Sequence, residues 1–174
     1  MKAQDVIELY QLFIGEGIDL WLDGGWAVDA LLGEQTRSHA DVDIVIQQKD
    51  VPKLHKLLES RGYKDVERDD TSAWNFVLGD SKGHEVDVHA FYFDGDGNGI
   101  YGNNGAVFPA SCFKGRGKIN GESVKCISAE QLVKFISPWL YKGRDKDFKA
   151  VAALCEKFGI ELPKEYTDYT LLSR

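Results

Sequence analysis

Asp41 and Asp43, one residue apart in "DVDIVI", and Asp87 in "HEVDVHAF" are the residues of this sequence whose types and spacing best support chemistry. Side chains alternate across a strand, so Asp41 and Asp43 share a face with Val45 while Val42, Ile44 and Ile46 point the other way. The same count puts Glu85, Asp87 and His89 on one face, with Val86, Val88 and Ala90 opposite. If these two strands are neighbours, Asp41, Asp43 and Asp87 converge. Convergent carboxylates repel and raise one another's pKa unless a cation sits between them. An oxygen-only ligand set suits Mg²⁺ or Mn²⁺, and Mg²⁺ is usually shared with substrate phosphates. The pattern predicts a metal claw.

Gly24 and Gly25 supply a second signal upstream. They lie between a short apolar strand, "IDLWLD", and a helix N-terminus, where unpaired N–H groups and the helix dipole favour an anion. Glycine lets a phosphate approach the backbone. Asp-x-Asp alone is often a solvated strand face, and Gly-Gly alone is usually a turn. A cradle and a claw together, with a third strand aspartate, point to nucleoside triphosphate chemistry.

These residues need elements to hold them. Val6, Leu9, Tyr10, Phe13 and Ile14 recur at helical spacing and predict a helix over 3–16. Residues 25–32 are nearly all apolar, which predicts a buried helix capped by Gly33. Pro52 belongs in the first turn of a helix running to about Ser60. "AWNFVLGD" and "HEVDVHAFYF" are strands joined by "SKG", and Asn-Gly in "RGKINGESVKCI" marks a tight hairpin. From Ser128, an N-cap with Gln131 at the capping-box position, helices are predicted over 128–140 and 145–158, with a last short one from Pro163. This order describes an α/β (α+β) fold: a mixed sheet flanked by helices.

The chain has 174 residues, 43% of them hydrophobic, enough for one domain with a sizeable core. Neither a membrane-spanning run nor a signal-peptide pattern is present, so a soluble cytoplasmic protein without a membrane partner is expected. The net charge of −7 argues against a general nucleic-acid binder. Cys112, Cys126 and Cys155 are too widely spaced for a disulfide framework or zinc site and read as buried thiols. "DGDGNGIYGNNG" begins like a calcium loop, but Gly105 stands where the bidentate glutamate belongs. It reads as a mobile glycine-rich loop framing a pocket.

"WLDGGWAVDALLGEQTRSHADVDIVI" resembles the nucleotidyltransferase superfamily that includes DNA polymerase β. More closely, it is similar to the small lincosamide and aminoglycoside 2''-nucleotidyltransferases, through Trp-x-x-Gly-Gly-Trp and Thr-Arg-x-His-x-Asp-x-Asp. "VDVHAF" resembles the Asp-Ile-His stretch of the lincosamide enzymes, and "CISAEQL" and "RDKD" resemble later parts of both. The resemblance covers most of the chain and is most specific from Gly-Gly to Asp-x-Asp. It implies a nucleotidyltransferase fold, with a catalytic domain over 1–126 and a C-terminal helical segment over 127–174.

The implied activity is Mg²⁺- or Mn²⁺-dependent transfer of NMP, most simply AMP from ATP, to a hydroxyl of a small antibiotic, giving resistance. Asp41 and Asp43 would hold the ion on the triphosphate, with Gly24 and Gly25 against the phosphates. Asp87 would complete the metal site or take the hydroxyl proton; the sequence does not separate these roles. Arg37, His39 and Arg144 are the expected nucleotide contacts, and Glu85 and His89 the expected acceptor-side residues. Asp29, an acid in an apolar helix, is expected to pair with Arg37, because an unpaired buried charge is costly. The partners implied are the antibiotic, the nucleotide and a second subunit in a homodimer. Rival readings are a transferase acting on a protein or unknown metabolite, and a non-catalytic nucleotide-binding relative.

Overall fold

A computed structural model describes residues 1–102 and 105–172 of the chain. In chain order the elements begin with α1 (Ala3–Gly15), β1 (Leu20–Leu22), α2 (Gly24–Leu32), β2 (Asp41–Gln47) and α3 (Val51–Glu59). Strands β3 (Lys64–Val66), β4 (Asn75–Gly79), β5 (Glu85–Phe93), β6 (Gly99–Tyr101), β7 (Ala106–Phe108), β8 (Gly115–Ile119) and β9 (Glu122–Cys126) follow. Helices α4 (Ala129–Ile136), α5 (Asp145–Phe158) and α6 (Lys164–Leu172) complete the described chain. The strands form one mixed sheet in the order β3-β4-β5-β2-β1-β9-β8, with β6 paired to β5 and β7 to β6. β2 and β5, the two carriers of acids, are adjacent and parallel. This is the expected mixed sheet flanked by helices.

Burial fixes which way the acid-bearing strands face. Val42, Ile44 and Ile46 of β2 and Val86, Val88 and Ala90 of β5 are all buried. Burying each valine or isoleucine side chain contributes about 1.5–3 kcal/mol. A one-residue slip would send this whole set to the opposite face, so the same energy holds Asp41, Asp43 and Asp87 on theirs.

α2 starts where the extended Asp23 accepts the Gly24 N–H at 2.8 Å. It ends at Gly33, whose left-handed φ of 81° lets its N–H reach the Asp29 carbonyl at 2.8 Å. Trp26 to Leu31 are buried throughout, and the helix packs on β8 and β2 beneath α5. The Asn-Gly signal is realised as the β8–β9 turn, with Asn120 at φ 49° and Gly121 at φ 85°. The three cysteines are free and buried, and burial pushes the Cys112 and Cys126 thiols up to about 12. No helix among the described residues is long and apolar enough to cross a membrane.

Two predicted elements need correction. The helix expected over 128–140 stops as α-helix at Ile136 and tightens into a 3₁₀ segment, Ser137–Lys142. Pro138 brings no N–H to the α ladder, and the Ser137 hydroxyl donates to the Val133 carbonyl at 2.5 Å. The glycine-rich stretch expected as a loop contributes β6, which pairs with β7 just beyond it, although its residues 103–104 lie outside the described residues. The turn before β6 is shaped by Asp94, whose carboxylate accepts from the Asp96 and Asn98 N–H groups and from Asn98 Nδ2.

Candidate active site

The parallel register places Asp43 opposite Asp87, Asp41 opposite Glu85 and Val45 opposite His89. Asp43, Asp87 and His89 each present a ligand atom, all within 4.8 Å of one another. Asp87 Oδ1 is buried without a hydrogen-bond partner among the described residues. Asp23 joins this group from the end of β1, its N–H donating to the Asp43 carbonyl at 2.9 Å. Sequence reasoning passed over Asp23. The signal available for it was an acid immediately before the glycine pair, at the α2 N-cap.

Crowding raises the proton affinity of these acids. Burial, then the fields of Asp23, Asp41 and Asp87, push Asp43 up to about 8. Burial also raises Asp87, against the opposing pull of His89 and with added repulsion from Asp41, Asp70 and Asp23. Asp23 is raised by burial too, despite His89 and the Gly24 N–H. Acids that repel one another, beside an orphaned carboxylate oxygen, form a donor set whose charge a divalent ion would neutralise. The residues present therefore fit a divalent ion.

Two cavities meet at this cluster. One, of about 350 Å³, is lined by Gly24, Gly25, Arg37, Asp41 and Asp43 on one side and by Lys146 and Lys149 of α5 on the other. The second, of about 490 Å³, has Asp23, Asp43 and His89 alongside aromatic walls of Tyr101, Phe108, Phe135 and Trp139. Gly24, Asp43, Ile136 and Asp147 belong to both. The Asp43 carboxylate thus stands between a cation-lined chamber and an aromatic one.

The glycine pair has a packing reason of its own. Gly24 sits at φ 55°, and a Cβ there would overlap the Asp43 carboxylate. A Cβ on Gly25 would overlap the His39 ring and the Arg37 guanidinium. The pair lets the helix start lie directly against the acids.

The other expected residues divide. Arg37 is exposed and lines the cation-lined cavity, and His89 lines the aromatic one. The expected Asp29–Arg37 pair is not formed. Asp29 instead binds His39 Nε2 at 2.6 Å and the Thr36 hydroxyl at 2.6 Å. His39 is 5% exposed, packed against Trp26, and lines neither of these cavities; its ring lies against Gly25. Glu85 is bound at both oxygens by Arg68, at 2.8 and 3.0 Å, and lines neither of these cavities. Arg144 binds Asp147 at 2.6 Å and borders the aromatic cavity, leaving Lys146 and Lys149 as the α5 cations on the other. Tyr101 and Phe108 escaped sequence reasoning because β6 and β7 carry no periodic pattern.

A family model described as aminoglycoside-2''-adenylyltransferase matches residues 5–154. A lincosamide resistance protein from Staphylococcus haemolyticus is 41% identical over 69 residues, 37% of this chain and 43% of that protein. A 2''-aminoglycoside nucleotidyltransferase from Escherichia coli is 38% identical over 50 residues, 29% of this chain and 28% of that protein. These matches span less than half the length of either relative. The crystal structure of a lincomycin-bound lincosamide antibiotic adenylyltransferase, LnuA, aligns with a TM-score of 0.77 at 27% identity. That alignment covers 88% of this chain and 96% of that one.

Proposed function

This chain belongs to the aminoglycoside-2''-adenylyltransferase family, and on that premise we propose that it transfers AMP from ATP to a hydroxyl of a lincosamide or aminoglycoside, with Mg²⁺ or Mn²⁺ as cofactor. The observation that carries the reading is the position of Asp43, facing Asp87 across two parallel strands and shared by a cation-lined and an aromatic cavity.

The triphosphate fits the first cavity, where Arg37, Lys146 and Lys149 offset its charge and the N-terminus of α2 points N–H groups at it. The acceptor fits the second, its sugar and apolar parts against Phe108, Phe135 and Trp139. Asp41 and Asp43 would hold the divalent ion, with Asp87 either completing that set or taking the acceptor proton. When bound, the ion supplies charge stabilisation at the attacking and leaving oxygens. The acceptor oxygen forms a bond to the α-phosphorus in line, the bond to the β-phosphate bridge breaks, and pyrophosphate departs. Holding both reactants in adjoining chambers supplies the proximity that makes the step effectively unimolecular.

The test is incubation with each of the four nucleoside triphosphates, Mg²⁺, and lincomycin, clindamycin, kanamycin or tobramycin, read by mass spectrometry of the drug. A drug heavier by one nucleotidyl group, with matching pyrophosphate release, is the expected result. No adduct on any of the drugs, from protein that binds ATP, would overturn the acceptor assignment.

A further inference from the structure

We propose that His89 donates a ring nitrogen to a divalent ion seated between Asp43 and Asp87, and that this nitrogen makes the seat prefer Mn²⁺, Co²⁺ or Zn²⁺ over Mg²⁺. The inference rests on the proposed divalent-ion site at Asp43, takes Asp87 as a ligand of that ion rather than as the base, and adds a nitrogen to a ligand set otherwise made of oxygen.

The register creates the arrangement. His89 follows Asp87 by two residues on β5, on the same face, opposite the buried and apolar Val45 of β2. No donor on β2 faces the imidazole at that level. His89 Nε2 stands 3.8 Å from Asp87 Oδ1, too far for a hydrogen bond, and that oxygen is buried and unpartnered. An ion with ligand distances of about 2.0–2.2 Å holds its ligands about 3–4.3 Å apart, and 3.8 Å falls in that range. The widest separation among the three ligand atoms is within 4.8 Å, so small side-chain rotations close the set. The His89 side chain is 27% exposed and has room to rotate.

Asp41 lies outside this trio and lines the cation-lined cavity with Asp43. His89 lines the aromatic one. The nitrogen therefore approaches from the acceptor side, away from the triphosphate. Mg²⁺ is hard, demands oxygen and gives up its waters reluctantly. Imidazole suits first-row divalent metals better than Mg²⁺, and affinity for such a site rises from Mn²⁺, the weakest of that series, to Co²⁺.

The experiment is Mn²⁺ and Mg²⁺ titration of the full chain without nucleotide, with pulsed electron paramagnetic resonance of the Mn²⁺ complex to detect a coordinated ¹⁴N. The wild type is expected to show ¹⁴N modulation and to bind Mn²⁺ more tightly than Mg²⁺. His89→Gln is expected to lose the modulation. It should also lose at least the ~10-fold of Mn²⁺ affinity that even an outer-shell partner of a metal ligand carries, with Mg²⁺ affinity far less changed. Absence of ¹⁴N modulation in the wild type overturns the proposal whether or not the variant folds. Modulation that persists in His89→Gln also overturns it, because the nitrogen then comes from another histidine. The spectrum is read without turnover, so a failure to adenylylate any drug counts against the proposed function and leaves this result standing.

Discussion

Asp43 carries a measurable consequence of its surroundings. Its carboxyl is held up to about 8 by burial and by Asp23, Asp41 and Asp87, against an unfolded value of about 3.9. Between those values the folded chain keeps a proton that the unfolded chain has lost, so stability falls as pH rises through the window. Metal-free protein is therefore expected to show a declining urea midpoint from about pH 4 to about pH 8. Asp43→Asn should flatten that decline and raise the melting temperature of the metal-free protein near pH 8, while abolishing nucleotide transfer. An unchanged pH profile in this variant would remove Asp43 as its source. Asp29 shows the opposite balance. Burial alone would raise its pKa, but hydrogen bonds from His39 and Thr36 prevail and hold the carboxyl below its usual range. Removing one partner of a buried pair is costly, so His39→Leu should lower unfolding stability by on the order of 3 kcal/mol in urea denaturation.

At the scale of elements, the junction of β1, Asp23 and α2 is the tightest constraint on the site. Gly24→Ala places a methyl group on the Asp43 carboxylate at a φ of 55°. The strain should cost about 1–2 kcal/mol of stability, beyond the usual glycine-to-alanine effect, and transfer should fall far more than melting temperature does. A Gly24→Ala enzyme with normal turnover would show that Asp43 can be displaced without harm. Much of this level was legible in the sequence. Alternation in "DVDIVI" and "HEVDVHAF" gave the faces, Asn120-Gly121 the hairpin, and Gly33 the end of α2. What could not be read was pairing between distant segments. Nothing local says that β2 lies beside β5 in parallel, or that Asp29 chooses His39, ten residues on in the chain, over Arg37. Likewise Glu85 shared the right face, but its capture by Arg68 depends on a partner seventeen residues away. β6 and β7 stayed hidden because glycines and short strands leave no period to count.

At the scale of the molecule, a net charge of −7 coexists with a cavity where three cations, Arg37, Lys146 and Lys149, balance three acids, Asp41, Asp43 and Asp147. Arg37 from the segment after α2, and Lys146 and Lys149 from α5, line the first cavity, while Phe108, Phe135 and Trp139 line the second, and Asp43 belongs to both. This division makes a claim about kinetics. If each reactant has its own chamber, substitutions should separate by substrate. Arg37→Ala removes a charge-assisted contact of about 1.5–3 kcal/mol, so KM for ATP should rise about tenfold or more with KM for the drug nearly unchanged. Phe135→Ala removes an apolar wall on the other side and should raise KM for the drug while leaving KM for ATP nearly fixed. Steady-state kinetics with each substrate varied in turn reads both. If both variants raise both constants alike, the reactants share one binding space, and Asp43 does not mark the boundary between them.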